Sequence, residues 1–215
     1  MNVYQKITLG LATMLSGAVS ADNFVMTSPT DYRSYKSSQG EVISVGLMEA
    51  MGANWKQYSS YFGQENQWLW VSHDGNQVYW LNESQQLDLL FDGDDPVGTE
   101  YQVRIDDCTD RAVLADKEAN LSSSAGNFND LVKLDFTGYC FDAGLKSAWF
   151  APGIGLVKWA QDSVLGVVEF ELEHAKVDRM TLPNQNGIEL SAQFPAETVM
   201  LNQQKNVEAS ITLIN

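Results

Sequence analysis

The chain has little cysteine, little proline, little histidine and little positive charge. Two cysteines in 215 residues exclude a disulfide-dense scaffold. The two histidines, His73 and His174, lie 35 and 34 positions from the nearer cysteine, so the short Cys/His spacings of zinc modules are absent. Five scattered prolines exclude a polyproline or low-complexity chain. Thirteen Lys and Arg stand against 28 Asp and Glu, which gives a net charge of −15 and an isoelectric point near 4.3. Such a surface repels phosphate backbones, so nucleic acid is excluded as a partner, and anionic membranes are disfavoured. No run reaches the roughly 18 apolar residues of a spanning helix, so no membrane span is expected. What is present is globular: 44% hydrophobic and 19% charged residues, a balance too apolar for disorder. The length suits one medium domain with or without a small appendage.

The N-terminus reads as an address. Met1 to Lys6 carries one positive charge, Ile7 to Ala18 is apolar and small, and Val19-Ser20-Ala21 places small residues at a peptidase site. Residues 1–21 are therefore expected to be a cleaved signal peptide, leaving 194 residues of net charge −16 that begin at Asp22. No cysteine stands at that position to take a lipid, so the expected product is soluble and periplasmic or secreted. In an oxidising compartment Cys108 and Cys140 are expected to form a disulfide.

Periodicity along the chain is that of strands. Gln67 to Ser72 and Gln77 to Leu81 flank His73-Asp74-Gly75-Asn76, the pattern of a hairpin with a two-residue turn. The implied register sets Trp70 opposite Tyr79 and Trp68 opposite Leu81 on one face, Val71 opposite Val78 and Leu69 opposite Trp80 on the other. Both faces are apolar, so cover is expected on both. Further strands are expected at Leu87–Phe91, Glu100–Ile105, Ala112–Ala115, Leu131–Phe136, Ser147–Phe150, Gly155–Trp159 and Val164–Glu173, separated by turn residues. The one helix expected is Ile43–Asn54, on a stripe of Val45, Leu47, Met48 and Met51. Residues 178–187 read as a linker, and 188–215 as a β-hairpin of alternating apolar residues without a core of its own. The expected fold is all-β: an antiparallel sandwich or half-barrel over 22–177 with one disulfide and a C-terminal β-hairpin.

Ala125-Gly126-Asn127-Phe128, followed by Trp149-Phe150-Ala151-Pro152-Gly153-Ile154-Gly155-Leu156-Val157-Lys158, resembles a pattern of exported, mostly uncharacterised bacterial proteins in which a "PAGTF" strand precedes a "WFAPGVGLVK" turn and strand. Asp92 to Gly98 with Thr99-Glu100-Tyr101 resembles the segment such proteins write as D-x-x-x-x-V-G-x-x-W. The tail from Ile188 is similar to the first two strands of the immunoglobulin-like sandwich of the intracellular proteinase inhibitor family, an incomplete module here. Ser124 stands where the pattern has Pro and Asn127 where it has Thr. The resemblance implies an exported all-β domain and carries no catalytic residue.

Chemistry is sparse. Ser72-His73-Asp74 are adjacent, so they do not share a face as a catalytic triad must. Ala151-Pro152-Gly153-Ile154-Gly155 lacks the lysine and following helix of a phosphate loop. Ten carboxylates lie between Asp88 and Glu118 against three cations, a net −7. Within them Asp92, Asp94, Asp95, Asp106, Asp107 and Asp110 form two turn-borne triplets. If both lie at one end of a sheet, their hard oxygens suit calcium, although Val103 stands where an EF-hand loop needs its bidentate Glu. The other reading is solvated turns, with no cofactor at all. Trp68 and Trp70 project from one face of a strand, which suits a sugar-stacking platform as well as core packing. Two function classes stand. The first is a non-enzymatic exported binding protein, with the edge of the C-terminal hairpin available to a protein partner. The alternative is a carboxylate-based enzyme acting on glycans, or a calcium-binding envelope protein.

Overall fold

The computed structural model describes Phe24, residues 31–177 and residues 180–183. The expected signal peptide and the expected hairpin over 188–215 lie outside the described residues. All regular structure described is strand: β1 (Tyr32–Ser37), β2 (Val42–Met51), β3 (Trp55–Tyr61), β4 (Gln64–Val71), β5 (Gln77–Leu81), β6 (Leu87–Asp92), β7 (Glu100–Gln102), β8 (Arg111–Ser123), β9 (Gly126–Thr137), β10 (Gly144–Ala151), β11 (Gly155–Ser163), β12 (Gly166–Val177) and β13 (Met180–Leu182). The last falls inside the stretch read as a linker and pairs with β12.

Two antiparallel meanders, β1–β6 and β7–β12, are joined where β1 pairs with β12, from Tyr32↔Lys176 to Ser37↔Phe170. The outcome is one nearly closed, barrel-like sheet rather than an open sandwich. Its unjoined edges are β6 and β7, which form a seam. Side chains cross it: Tyr101 Oη donates to Asp95 Oδ2 at 3.0 Å, and the Arg104 amide donates to Asp88 Oδ2 at 3.0 Å. Turns alternate between the two mouths of the barrel, as up-and-down connection requires.

The stretch Ile43–Asn54, expected as a helix, is strand β2 followed by a turn. Its helical stripe is outweighed by tertiary context. Val42, Ile43 and Val45 are β-branched, Gly46 weakens a helix, and ladders with β1 and β3 are available on both sides. Val45 and Leu47 then point inward by simple alternation. Val164 and Leu165, expected to open a strand, form the turn between β11 and β12. The hairpin register is as expected, with Leu69↔Trp80, Trp70↔Tyr79 and Val71↔Val78.

The interior is aromatic. Phe62, in the β3–β4 turn with φ of 53°, folds back into the core at 3% exposure, and its ring meets Trp80, Phe136, Phe150 and Trp159. A positive φ in a bulky residue is unfavourable by itself. Burying a phenyl ring stabilises by roughly 2 to 3 kcal/mol, which offsets it. Trp159 stacks on Phe170 at 4.6 Å.

β1 turns an unusual face to this core, because Asp31, Arg33, Tyr35 and Ser37 are all buried. Arg33 Nη2 donates to the carbonyl of Ile154, and Tyr35 Oη donates to that of Leu156 at 2.8 Å. The strand that closes the barrel thereby pins the β10–β11 turn. At Gly155, with φ of +90°, an added Cβ would lie 2.4 Å from the Phe24 carbonyl oxygen and 2.6 Å from Arg33 Nη2.

Two predictions follow from this packing. Gly155→Ala is expected to destabilise by about 2 kcal/mol or more, read as a lower urea midpoint at unchanged slope, because strain and clash combine there. Burial pushes the Tyr35 phenol up to about 12, with Arg33 opposing, and drives Tyr61 in the same direction. Between pH 10 and 12 the folded state keeps a proton that the unfolded chain releases, so this stability is complete below pH 10 and is lost as pH rises through that window. The Tyr35 contribution is on the order of 2 to 3 kcal/mol. Tyr35→Phe should flatten the fall of urea midpoint with pH over this range; an unchanged slope would contradict the assignment.

Candidate functional site

Alternation around a closed sheet leaves every second side chain outside, and on β3–β5 four of those side chains are aromatic rings. One row crosses the strands as Met51, Trp55, Trp70, Tyr79 and Leu89, each the registered partner of the next. A second row begins at the exposed Glu49 and runs through Gln57↔Trp68 and Leu81↔Leu87, with the β4–β5 register setting Trp68 opposite Leu81. Trp55 meets Trp68 edge-to-face at 6.2 Å and 79°, and Trp70 meets Tyr79 at 5.1 Å and 81°. Leu69, Val71, Val78 and Trp80 occupy the core side, so the rings outside are half-buried only by one another. Met51 and Leu87 retain 51% and 40% exposure.

Cover on both faces of the hairpin was the sequence expectation; among the described residues the outer face has none. The outward side chains Trp55, Gln57, Trp68, Trp70, Gln77, Tyr79 and Leu81 are uncharged, and charge enters at the margins, at Glu49 opposite Gln57, at Glu65 near the start of β4 and at Asp92 opposite Gln77. The sequence pointed to Trp68 and Trp70 and set Tyr79 opposite Trp70, but missed Trp55, which sits across the β3–β4 ladder and is found only once that register is known.

The two aspartate triplets do not meet. Asp92, Asp94 and Asp95 stand at the mouth that holds the β6–β7 connection, and Asp106, Asp107 and Asp110 at the opposite mouth, beyond the start of β8. Within each triplet the carboxylates brace turns. Asp92 accepts from the Asp94 amide at 2.9 Å and from Gln77 Nε2 at 2.6 Å. Asp94 accepts from Asn76 Nδ2 at 3.1 Å, and Asp106 from the Cys108 amide at 2.8 Å. Among the described residues no group of three or more His, Cys, Asp or Glu is placed to hold a metal ion. None of the ten carboxylates from Asp88 to Glu118 is buried.

Nor does a triad assemble. Ser72 Oγ donates to the Asp74 carboxylate, and this bond with that of the Asn76 amide holds Asp74 below the usual carboxylate range. His73 and His174 are exposed.

The disulfide Cys108–Cys140 is formed. It fastens the β9–β10 loop to the β7–β8 loop, where an added Cβ at Gly138 would fall 1.6 Å from the Cys108 carbonyl oxygen. Beside it, at the seam, lies a cavity of about 290 Å³ lined by Asn82, Gln86, Asp88, Gln102, Arg104 and Tyr139, among others. The sequence carries no signal for it, because four separate segments supply its walls. A second cavity, of about 320 Å³, lies between Lys36–Ser38, Glu169, Glu171 and Ser124. On the far side of the barrel Lys133 and Lys158 flank the Trp149 ring at 5.5 and 5.3 Å, and Lys158 also pairs with Glu169 and Glu171 at 3.0 and 2.8 Å.

No protein-family model matches the chain, and no curated protein matches it in sequence. Two solved structures are similar in fold. One is a candidate lipoprotein of Parabacteroides distasonis, at 12% identity and TM-score 0.41, covering 73% of this chain and 99% of its own. The other is a candidate exported protein with a YmcC-like fold from Bacteroides fragilis, at 12% identity and TM-score 0.43, covering 72% and 99%. Likenesses this shallow fix neither ligand nor activity.

The bridge closes a loop with a sequence separation of 32. Replacing both cysteines by serine is expected to lower stability by roughly 3 to 4 kcal/mol on the chain-entropy account. Calorimetry of oxidised protein and double variant checks it, and equal melting temperatures would refute it.

Proposed function

We propose that the chain is an exported, non-enzymatic binding protein that holds a neutral oligosaccharide against the outer aromatic face of β3–β5. The observation that carries this reading is a face of four aromatic rings that no described residue covers, with the carboxylates of Glu49, Glu65 and Asp92 only at its margins, in a chain whose net charge is −15. Sugar rings present C–H faces that pack on aromatic rings and hydroxyls that bond to polar groups beside them; Gln57 Nε2 is held by the Asn66 carbonyl and Gln77 Nε2 by Asp92, which fixes the two amides at the margin of the rings. Neighbouring rings near 80° to each other do not make a single flat plane. A single twisted glycan chain suits such a surface better than a crystalline one. The leader-like residues 1–21 support export, and carboxylates committed to turns support binding rather than hydrolysis.

The test is titration of tryptophan fluorescence with maltohexaose, cellohexaose, laminarihexaose and xylohexaose. At least one is expected to bind and to be recovered uncut. Trp68→Ala and Trp70→Ala should each weaken it about five- to tenfold, the loss of one stacked ring at roughly 1 kcal/mol. Failure of all four hexaoses to bind, or tryptophan variants that bind like the parent, would refute the platform, and release of shorter sugars would refute the non-enzymatic reading.

A further inference from the structure

The second row of the aromatic face does not end in open solvent. Its last members are Leu81 and Leu87, and the residues that follow them, Asn82 and Asp88, are walls of the seam cavity. The edge of the platform and one wall of the cavity thus belong to the same β5–β6 hairpin.

The cavity is built by fixed groups and lined by free ones. Asp88 Oδ2 accepts from Asn82 Nδ2 at 2.9 Å and from the Arg104 amide at 3.0 Å, and Asn82 Oδ1 accepts from the Gln86 amide at 2.9 Å. These bonds tie the β5–β6 turn across the seam and, with buried Val103, close the floor. The side chains of Gln86, Gln102 and Arg104 make no hydrogen bond among the described residues, so amide and guanidinium groups are left to face a ligand. On the remaining side stands the disulfide-stapled loop, with Tyr139 at 84% exposure, which lines the cavity together with Asp110, and Phe141 at 100%. Two exposed rings held by a covalent staple are a preorganised flank, not a floppy tip.

Charge and size limit the occupant. One arginine against Asp88 and Asp110 leaves the site slightly negative, which disfavours an anion. A volume of about 290 Å³ is at the small end of ligand sites and suits a single sugar ring. We propose that the seam cavity is an end-binding subsite, which takes the terminal unit of the same neutral glycan whose inner units lie on Trp68 and Trp70. This rests on the reading of the aromatic face given above.

The experiment compares the full chain with Gln102→Ala, Tyr139→Ala and Tyr139→Phe on two probes: the best-binding hexaose, followed by fluorescence, and the long polysaccharide of the same linkage, followed by retardation in affinity gels. Ends are plentiful in the hexaose and rare in the polymer. Gln102→Ala and Tyr139→Ala should weaken the hexaose at least tenfold and leave retardation by the polymer unchanged, Tyr139→Phe should retain most hexaose affinity, and Trp68→Ala should weaken both. The altered side chains are exposed, and unchanged melting temperatures confirm that the variants fold. Hexaose binding unaffected by the cavity variants, or equal loss on both probes, would overturn the end subsite while leaving the aromatic face standing. A parent protein that binds neither probe would overturn both.

Discussion

The antiparallel ladder between β1 and β12 is the constraint on which the rest depends. Without it, β1–β6 and β7–β12 would be two meanders, each with two bare edges and one apolar face to hide. With it they share one interior, and a sequence alternating by twos acquires an inside and an outside everywhere at once. The ladder is reinforced from within, since Arg33 and Tyr35 on β1 reach carbonyls on either side of Gly155. A buried guanidinium is a costly way to fasten a turn. Its acceptor, the Ile154 carbonyl, lies 121 residues away in sequence, so the bond reports closure of the whole sheet rather than local order.

The same closure decides what the acidic side chains do. Turns at the two mouths collect Asp and Asn because those residues bond to their own backbone two positions on, as Asp92 does to Asp94 and Asp106 to Cys108. An up-and-down sheet sends successive turns to opposite mouths, so two acidic turns joined by one strand are kept apart by topology. The net charge of −15 is thus distributed over many turns and strand exteriors, and on the outer face of β3–β5 it stays at the margins, at Glu65 and at the neighbouring Glu49 and Asp92.

Much of this was legible in the sequence, and the failures have identifiable causes. The Asp-Gly turn fixed the β4–β5 register to the residue because turn chemistry is local. Cys108 and Cys140 were paired by count and compartment. Ile43–Asn54 misled because a stripe of Val45, Leu47, Met48 and Met51 fits a helix as well as a bulged strand, and only the neighbours β1 and β3 decide between them. Trp68 and Trp70 were visible as a pair, yet whether they faced core or solvent depended on whether a second layer existed. The row that joins Trp55, Trp70 and Tyr79 is a property of ladders, and the seam cavity is a property of four segments that meet only in the folded chain.

The cavity lies at the seam for a reason that topology supplies. Backbone ladders hold strands about 4.8 Å apart, which leaves no room between them for a ligand. Where β6 and β7 fail to pair, side chains must satisfy the edges instead, and Asp88 and Asp95 do so with bonds to the Arg104 amide and the Tyr101 hydroxyl. A link through a carboxylate is longer than a ladder bond, so the edges stand further apart and the gap acquires polar walls. Such an edge would also invite pairing with another chain; the disulfide-stapled loop standing over it guards against that. An opening that is polar, braced and flanked by rings is what an incomplete barrel leaves when its last bond is made by side chains, and it falls where the outer aromatic rows run out.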